Sequence, residues 1–179
     1  MTSTIEFRSP GASFDDPVAM WLGCHERVRR FAALLGRLQP HVASHGADEE
    51  AQMGAASIRR YFNEAAPRHH EDEEVDMFPL LRDRHRDAAT LAALDRVEAD
   101  HLAMADLWRQ LDAVLARLSA GEAVTPDAAL VARFAAMYDQ HIDIEENVLL
   151  PALKRALGPA DWNAVGRAMA ERRGLDWKP

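Results

Sequence analysis

The sequence holds a single cysteine, Cys24, so no internal disulfide staples the chain and no cysteine zinc ribbon can form. Glycine and proline number nine each, too few for a collagen-like or low-complexity chain. β-Branched residues are sparse and scattered, which leaves little from which to build strands. Positive charge is also short: 21 lysines and arginines against 29 acids give a formal net charge of −8. That is the wrong sign for attraction to nucleic-acid phosphates or to an anionic membrane surface. Charges interrupt every apolar stretch before it could span a bilayer. The start, MTSTIEFRSPGASFDD, has no basic region followed by an apolar run, so the chain reads as cytoplasmic rather than secreted. No P-loop, dinucleotide fingerprint or G-x-S-x-G turn is present.

What remains is helix. The chain has 179 residues, 48% hydrophobic and 28% charged, enough for one domain with its own core. The expected fold is all-α: an antiparallel up-down-up-down four-helix bundle over residues 16–158. A loosely ordered segment (1–15) precedes it, and a short C-terminal helix and tail (159–179) pack on it. Asp16-Pro17 opens the first helix as N-cap and first helical residue, and Gln39-Pro40 closes it. The second runs from about Ala47–Glu50, with acids in its first turn, to about His85, kinked at Pro67 and Pro79. The third runs from Ala88–Thr90 to Gly121, a residue suited to the left-handed end of a helix. Thr125-Pro126 opens the fourth and Gly158-Pro159 closes it.

The second and fourth helices carry an internal repeat. HHEDEEVDMFPLL from His69 aligns without gaps on HIDIEENVLLPAL from His141, and both read H-x3-E-E-x4-P-x-L. Each copy follows a helix with a histidine of its own, His25 and His101. Two helical hairpins thus place the same polar residues at equivalent positions. At about 100° per residue, positions four apart share a helix face. The second helix then turns Ile58, Phe62, Ala66, His69, Glu73, Met77 and Leu80 inward. The fourth turns in Phe134, Tyr138, His141, Glu145, Val148, Leu149 and Ala152. Trp21, His25 and Val28 lie on the first helix's apolar stripe; Val97, His101 and Met104 lie on the third's.

Burying an ionised carboxylate costs several kcal/mol, and a domain is stable by only about 5–15 kcal/mol, so two uncompensated glutamates in a core are prohibitive. Four buried imidazoles add more unmet hydrogen-bonding capacity. Cations resolve the conflict by taking the same lone pairs as ligands. His25, His69, Glu73, His101, His141 and Glu145 are therefore the expected metal ligands. Six donors exceed the four-ligand shell of structural zinc and suit two ions.

At these residues the sequence resembles the hemerythrin family, in its bacterial HHE cation-binding branch, over about residues 16–158. The resemblance implies a non-haem centre of two iron ions bridged by Glu73, Glu145 and an oxo or hydroxo group, with zinc or manganese as possible substitutes. It also implies a small diatomic or peroxide-type ligand such as oxygen or nitric oxide. Oxygen-carrying members have H-x3-H on the third helix, whereas here His101 is followed four residues later by Ala105. The resemblance is thus closer to the six-ligand proteins linked to iron-centre repair, and it implies that one ion is a histidine short. Three functional readings stay open. The leading one is a binding or sensing module; the others are a two-iron oxidoreductase acting on nitric oxide, peroxide or ferrous iron, and a metal-free helical interaction domain.

Other polar residues have plainer readings. His70, Glu74 and Glu146 fall toward the sides of their helices, as outer or solvent-facing groups, although the prolines could rotate His70 and Glu74 into the site. His41 and His45 follow Pro40 in an expected surface loop. Glu98 and His101 form an E-x-x-H, but the ferritin-like architecture needs two copies. Trp108 and Tyr138 read as core residues near the ligand faces. Cys24 points about 100° from His25.

Overall fold

The computed structural model describes residues 13–176. Five helices account for nearly all of them. Helix α1 is Pro17–His45, α2 runs unbroken over residues 49–84, α3 is Ala88–Ser119, α4 runs unbroken over residues 128–156, and α5 is Pro159–Arg172. Short connections send each main helix back along the last. α1 packs on α2 and α4, and α3 packs on α2 and α4, closing a four-helix bundle. α5 lies across the outside, against α1 and the middle of α2. The expected loose segment over 1–15 falls mostly outside the described residues; Ser13–Asp16 forms a turn closed by Asp16 N–H donating to Ser13 O at 3.0 Å.

Aspartates start the four bundle helices. The side chain of Asp16 accepts from the Ala19 N–H, Asp48 from Ala51, Asp87 from Thr90 and Asp127 from Leu130, each filling one of the orphan donors of a first turn. The fourth helix therefore begins after Asp127, two residues beyond the Thr125 cap that the sequence suggests. At the far end of α3, Gly121 does take the left-handed conformation, with φ of +86°. Pro40 does not end α1. Leu38 and Val42 on either side of it are buried in the bundle, and their packing outweighs the one hydrogen bond that proline removes. His41 and His45 consequently sit on the last turns of a helix rather than in a loop.

Three π-turns interrupt α2 and α4, at Tyr61–Ala65, Asp72–Met77 and Glu145–Leu149. Each ends two residues before a proline: Pro67, Pro79 or Pro151. Proline has no N–H to give to the carbonyl four residues back, and its ring crowds that carbonyl. The residue before it reaches five back instead: Ala66 N–H to Tyr61 O, Phe78 to Glu73 O, and Leu150 to Glu145 O. One extra residue in a turn rotates the remainder of the helix. Val148 is 38% exposed, with Leu149 buried in its place, and Leu81 is buried where Leu80 is only half-buried. Both departures from the ideal-helix reading come from these turns.

The core is divided. One apolar cluster gathers Val28, Phe62, Met104, Phe134 and residues beyond them toward one end of the bundle. The other gathers Trp21, Met77, Val97, Leu149 and residues toward α5. In each of the four bundle helices the switch from one cluster to the other falls at the same level, and that level is occupied by polar side chains.

Candidate metal centre

The dividing layer holds His25 from α1, His69 and Glu73 from α2, His101 from α3, and His141 and Glu145 from α4, each no more than 5% exposed. Helix spacing accounts for the selection. Each residue lies on the apolar stripe of its helix, and each glutamate follows its histidine by one turn. The structure thus brings all six expected residues together.

They form two groups of ligand atoms, each within 4.8 Å of one another: His25, His69, Glu73 and Glu145, and His70, Glu73, His101 and His141. Glu73 belongs to both. Its Oε1 stands 3.1 Å from His69 Nε2, and its Oε2 stands 3.4 Å from His101 Nε2. Glu145 spans the same gap in the opposite sense, with Oε2 3.2 Å from His25 Nε2 and Oε1 3.2 Å from His141 Nε2. Two carboxylates therefore lie across a pair of imidazole groups, as the doubled motif requires.

His70 is the member that the helical faces place outside. Its ring lies parallel to that of His101 with centroids 4.0 Å apart. Ideal helical rotation puts adjacent His69 and His70 about 100° apart, and the two join different ligand groups of the layer. The pointer is in the sequence: Pro67 and the widened turn at Tyr61–Ala65 ahead of it alter the register of α2 before His69 and His70 are reached. Ala105, where oxygen carriers have a second histidine on the third helix, is exposed; His70 from the facing helix brings the third imidazole to that half instead.

The layer is poorly satisfied by hydrogen bonds alone. His25 Nε2, His70 Nε2, Glu73 Oε2 and both carboxylate oxygens of Glu145 are buried without a hydrogen-bond partner, whereas buried polar groups are ordinarily paired. His101 Nε2 and His141 Nε2 approach each other to 3.2 Å. Two nitrogens each about 2 Å from one ion lie about 3 Å apart, so this pair has the spacing of co-ligands. Donor types, spacing and the unmet lone pairs all fit cations between the helices.

Electrostatics agree. Burial opposes charge on His25 and on His101, yet Glu145 and Glu73 outweigh it for His25, and Glu73 and Glu74 for His101. Their pKa values are pushed up to about 10 and about 9. Burial would raise the two carboxylates, but the surrounding histidines hold both Glu73 and Glu145 below the usual range. Burial keeps His69 and His70 low, hence neutral and ready to donate a lone pair. Positive charge is thus what the two carboxylates draw into this layer, from protons on His25 and His101 or from cations that replace them.

The surroundings are apolar and aromatic. Trp21 Nε1–H donates to Glu73 Oε1 at 2.5 Å, and its ring packs edge-on to His25. Tyr138 is buried between Phe62 and Phe134 on the side toward His70 and His141. Trp108 packs on Phe62 and Phe134 and donates to Asn63 Oδ1 at 2.8 Å, apart from the cluster. Cys24 is buried, which pushes its thiol up to about 11, and it joins neither group. Glu98 pairs with Arg82 at the surface. His41 bonds Asp48 and stacks on His45 near the end of α1, away from the layer. Glu74 and Glu146 stand just outside it, each against a histidine.

Among the described residues no helix is long and apolar enough to cross a membrane. An uncharacterized protein of Haemophilus influenzae is 32% identical to this chain over 162 residues, covering 90% of this chain and 92% of the relative. The hemerythrin HHE cation-binding domain matches residues 16–153, which span α1 to the last turn of α4 and include every residue of both ligand groups. The chain belongs to the hemerythrin HHE cation-binding domain family, and the buried layer of histidines and glutamates is its candidate metal centre.

Proposed function

We propose that the protein is a two-iron binding or sensing module for a small ligand such as oxygen or nitric oxide. The observation that carries this reading is the pair of carboxylates, Glu73 and Glu145, each with one oxygen toward His25 and His69 and the other toward His101 and His141. Carboxylates so placed suit two cations better than one. His25 and His69 would hold one ion, and His70, His101 and His141 the other, with the two glutamates common to both. Iron so held would supply an electron-rich centre able to bind a diatomic molecule.

The protein's own contribution is arrangement. The half with two imidazoles has the fewer protein donors and is the natural place for an added ligand. Trp21, inside the adjoining apolar cluster, steadies Glu73 through its N–H and keeps bulk water from that side. Phe62, Phe134 and Tyr138 close the opposite side. Apolar walls on both sides would limit water access to the iron and protect it from competing reactions.

The test is metal analysis of protein from iron-fed cells, with visible spectra recorded reduced and after exposure to air. Two iron atoms per chain and a charge-transfer absorption of bridged ferric iron are expected. Iron-replete protein that shows no such absorption would refute the proposal.

A further inference from the structure

The repeated motif contains two adjacent glutamates, and the centre uses only the first of each pair. The second members, Glu74 and Glu146, cross between hairpins. Glu74 on α2 meets His101 Nδ1 on α3 at 2.6 Å. Glu146 on α4 meets His25 Nδ1 on α1 at 2.9 Å. Each hairpin therefore fixes the ring of the other hairpin's histidine and leaves Nε2 facing the centre. A carboxylate on the outer nitrogen orients a ligand imidazole and makes it a better donor.

The two crossings are not equal. Arg29 Nη1 and Nη2 donate to the two oxygens of Glu146 at 2.8 and 3.1 Å, a two-pronged pairing that ties up its charge. Among the described residues no arginine or lysine pairs with Glu74. The sequence shows why. Arg29 comes four residues after His25, and the residue four after His101 is Ala105, too short to reach and exposed at the surface.

We propose that Glu74 and Glu146 are positioning residues that make the two metal positions unequal, the position at His101 being the tighter because Arg29 pairs with Glu146 while no arginine or lysine among the described residues pairs with Glu74. This rests on the two-ion reading above. Charge accounting sets the sense. Two divalent ions bring four positive charges, and Glu73 and Glu145 offset two. Glu74 and Glu146 offset the remaining two, and Arg29 returns one of them on the His25 side. A cation on that side therefore meets less negative surroundings. The half with three imidazoles also has the larger donor set, which acts in the same direction.

The test is a titration of the chelated full-length protein with cobalt(II) alone, monitored by its visible absorption. Two resolved steps are expected. Glu74→Gln keeps an oxygen to accept the hydrogen bond but removes the charge; it should weaken the tight step by about 10-fold or more, the usual scale for such partners, and spare the loose one. Glu146→Gln should weaken the loose step. Ala105→Arg supplies the missing cation on a solvent-facing turn, so it should weaken the tight step as Glu74→Gln does. Far-ultraviolet circular dichroism of each chelated variant should match that of the unaltered chain, and each charge change should move only its own step, which separates this role from a loss of fold. Two ions bound with equal affinity, or variants that move both steps alike, overturn the inference and leave the two-ion reading standing. Uptake of a single cobalt ion overturns both.

Discussion

Metal and protons should compete for the same layer, and the competition has a calculable size. Without cations, His25 and His101 have pKa values near 10 and 9, against about 6.5 for an ordinary histidine. Both are therefore protonated at pH 7, and both must lose that proton to bind a metal. At about 1.4 kcal/mol per pH unit, freeing His25 at pH 7 costs about 4 kcal/mol and freeing His101 about 3 kcal/mol. Loading both ions should then release at least two protons per chain, and affinity for the full complement should rise about 100-fold between pH 7 and 8. The same shifts fix the sign for the metal-free protein. Raised histidine values stabilise the fold fully below pH 6.5, and that stabilisation is lost as pH climbs through 9 to 10. Chelated protein should thus melt at progressively lower temperature on the alkaline side, and loaded protein should not. Zinc titration by calorimetry at pH 7, in two buffers with different heats of ionisation, counts the protons. Release of fewer than one proton per chain would show that carboxylates and imidazoles do not share charge as described.

Three further outcomes rest on particular contacts. His70→Ala should remove an imidazole from the half built on His101 and His141 and lower metal content toward one ion per chain in elemental analysis; unchanged content would exclude His70 from the centre. Leu149→Ala should cost about 2–5 kcal/mol in urea denaturation, whereas Val148→Ala should change stability by less than about 0.5 kcal/mol, and the reverse order would contradict the π-turn. Replacing both Arg172 and Arg173 by alanine strips the cations from Asp72, which is 1% exposed and pairs with both. The loss should be about 3–5 kcal/mol, largely recovered when Asp72→Asn is added; equal stability of the double variant and the unaltered chain would show that α5 does not depend on that pairing.

The bundle and most of its centre are legible in the sequence because two independent periodicities coincide. Apolar spacing chooses the inward face of each helix, and the repeat places a histidine and a glutamate on it twice, so His69, Glu73, His141 and Glu145 stand out together. His25 and His101 need only the face. Rotation at a uniform angle per residue fails where α2 and α4 depart from it. It assigns Val148 and Leu80 inward although the widened turns carry them outward, and it sets His70 aside although the same region of α2 brings it to the centre. For Val148 and Leu80 the signal is the proline at a fixed distance after each E-E pair, and for His70 it is Pro67 just ahead; a helical wheel ignores both. Pro40 misleads in the opposite direction, since burial of Leu38 and Val42 carries α1 past it. Thr125 loses to Asp127 as a cap because both are good candidates and local sequence alone does not rank them.

The two separate apolar clusters also bear on how the molecule comes apart. Greasy contacts grip each end of the bundle, while its waist relies on charge. A shaft gripped at both ends and pinned at the waist is stiff only while the pin is in place. Without ions, amide exchange should quicken first around Glu73 and Glu145 and reach the two ends later, as expected if a bound cation fastens the whole rod.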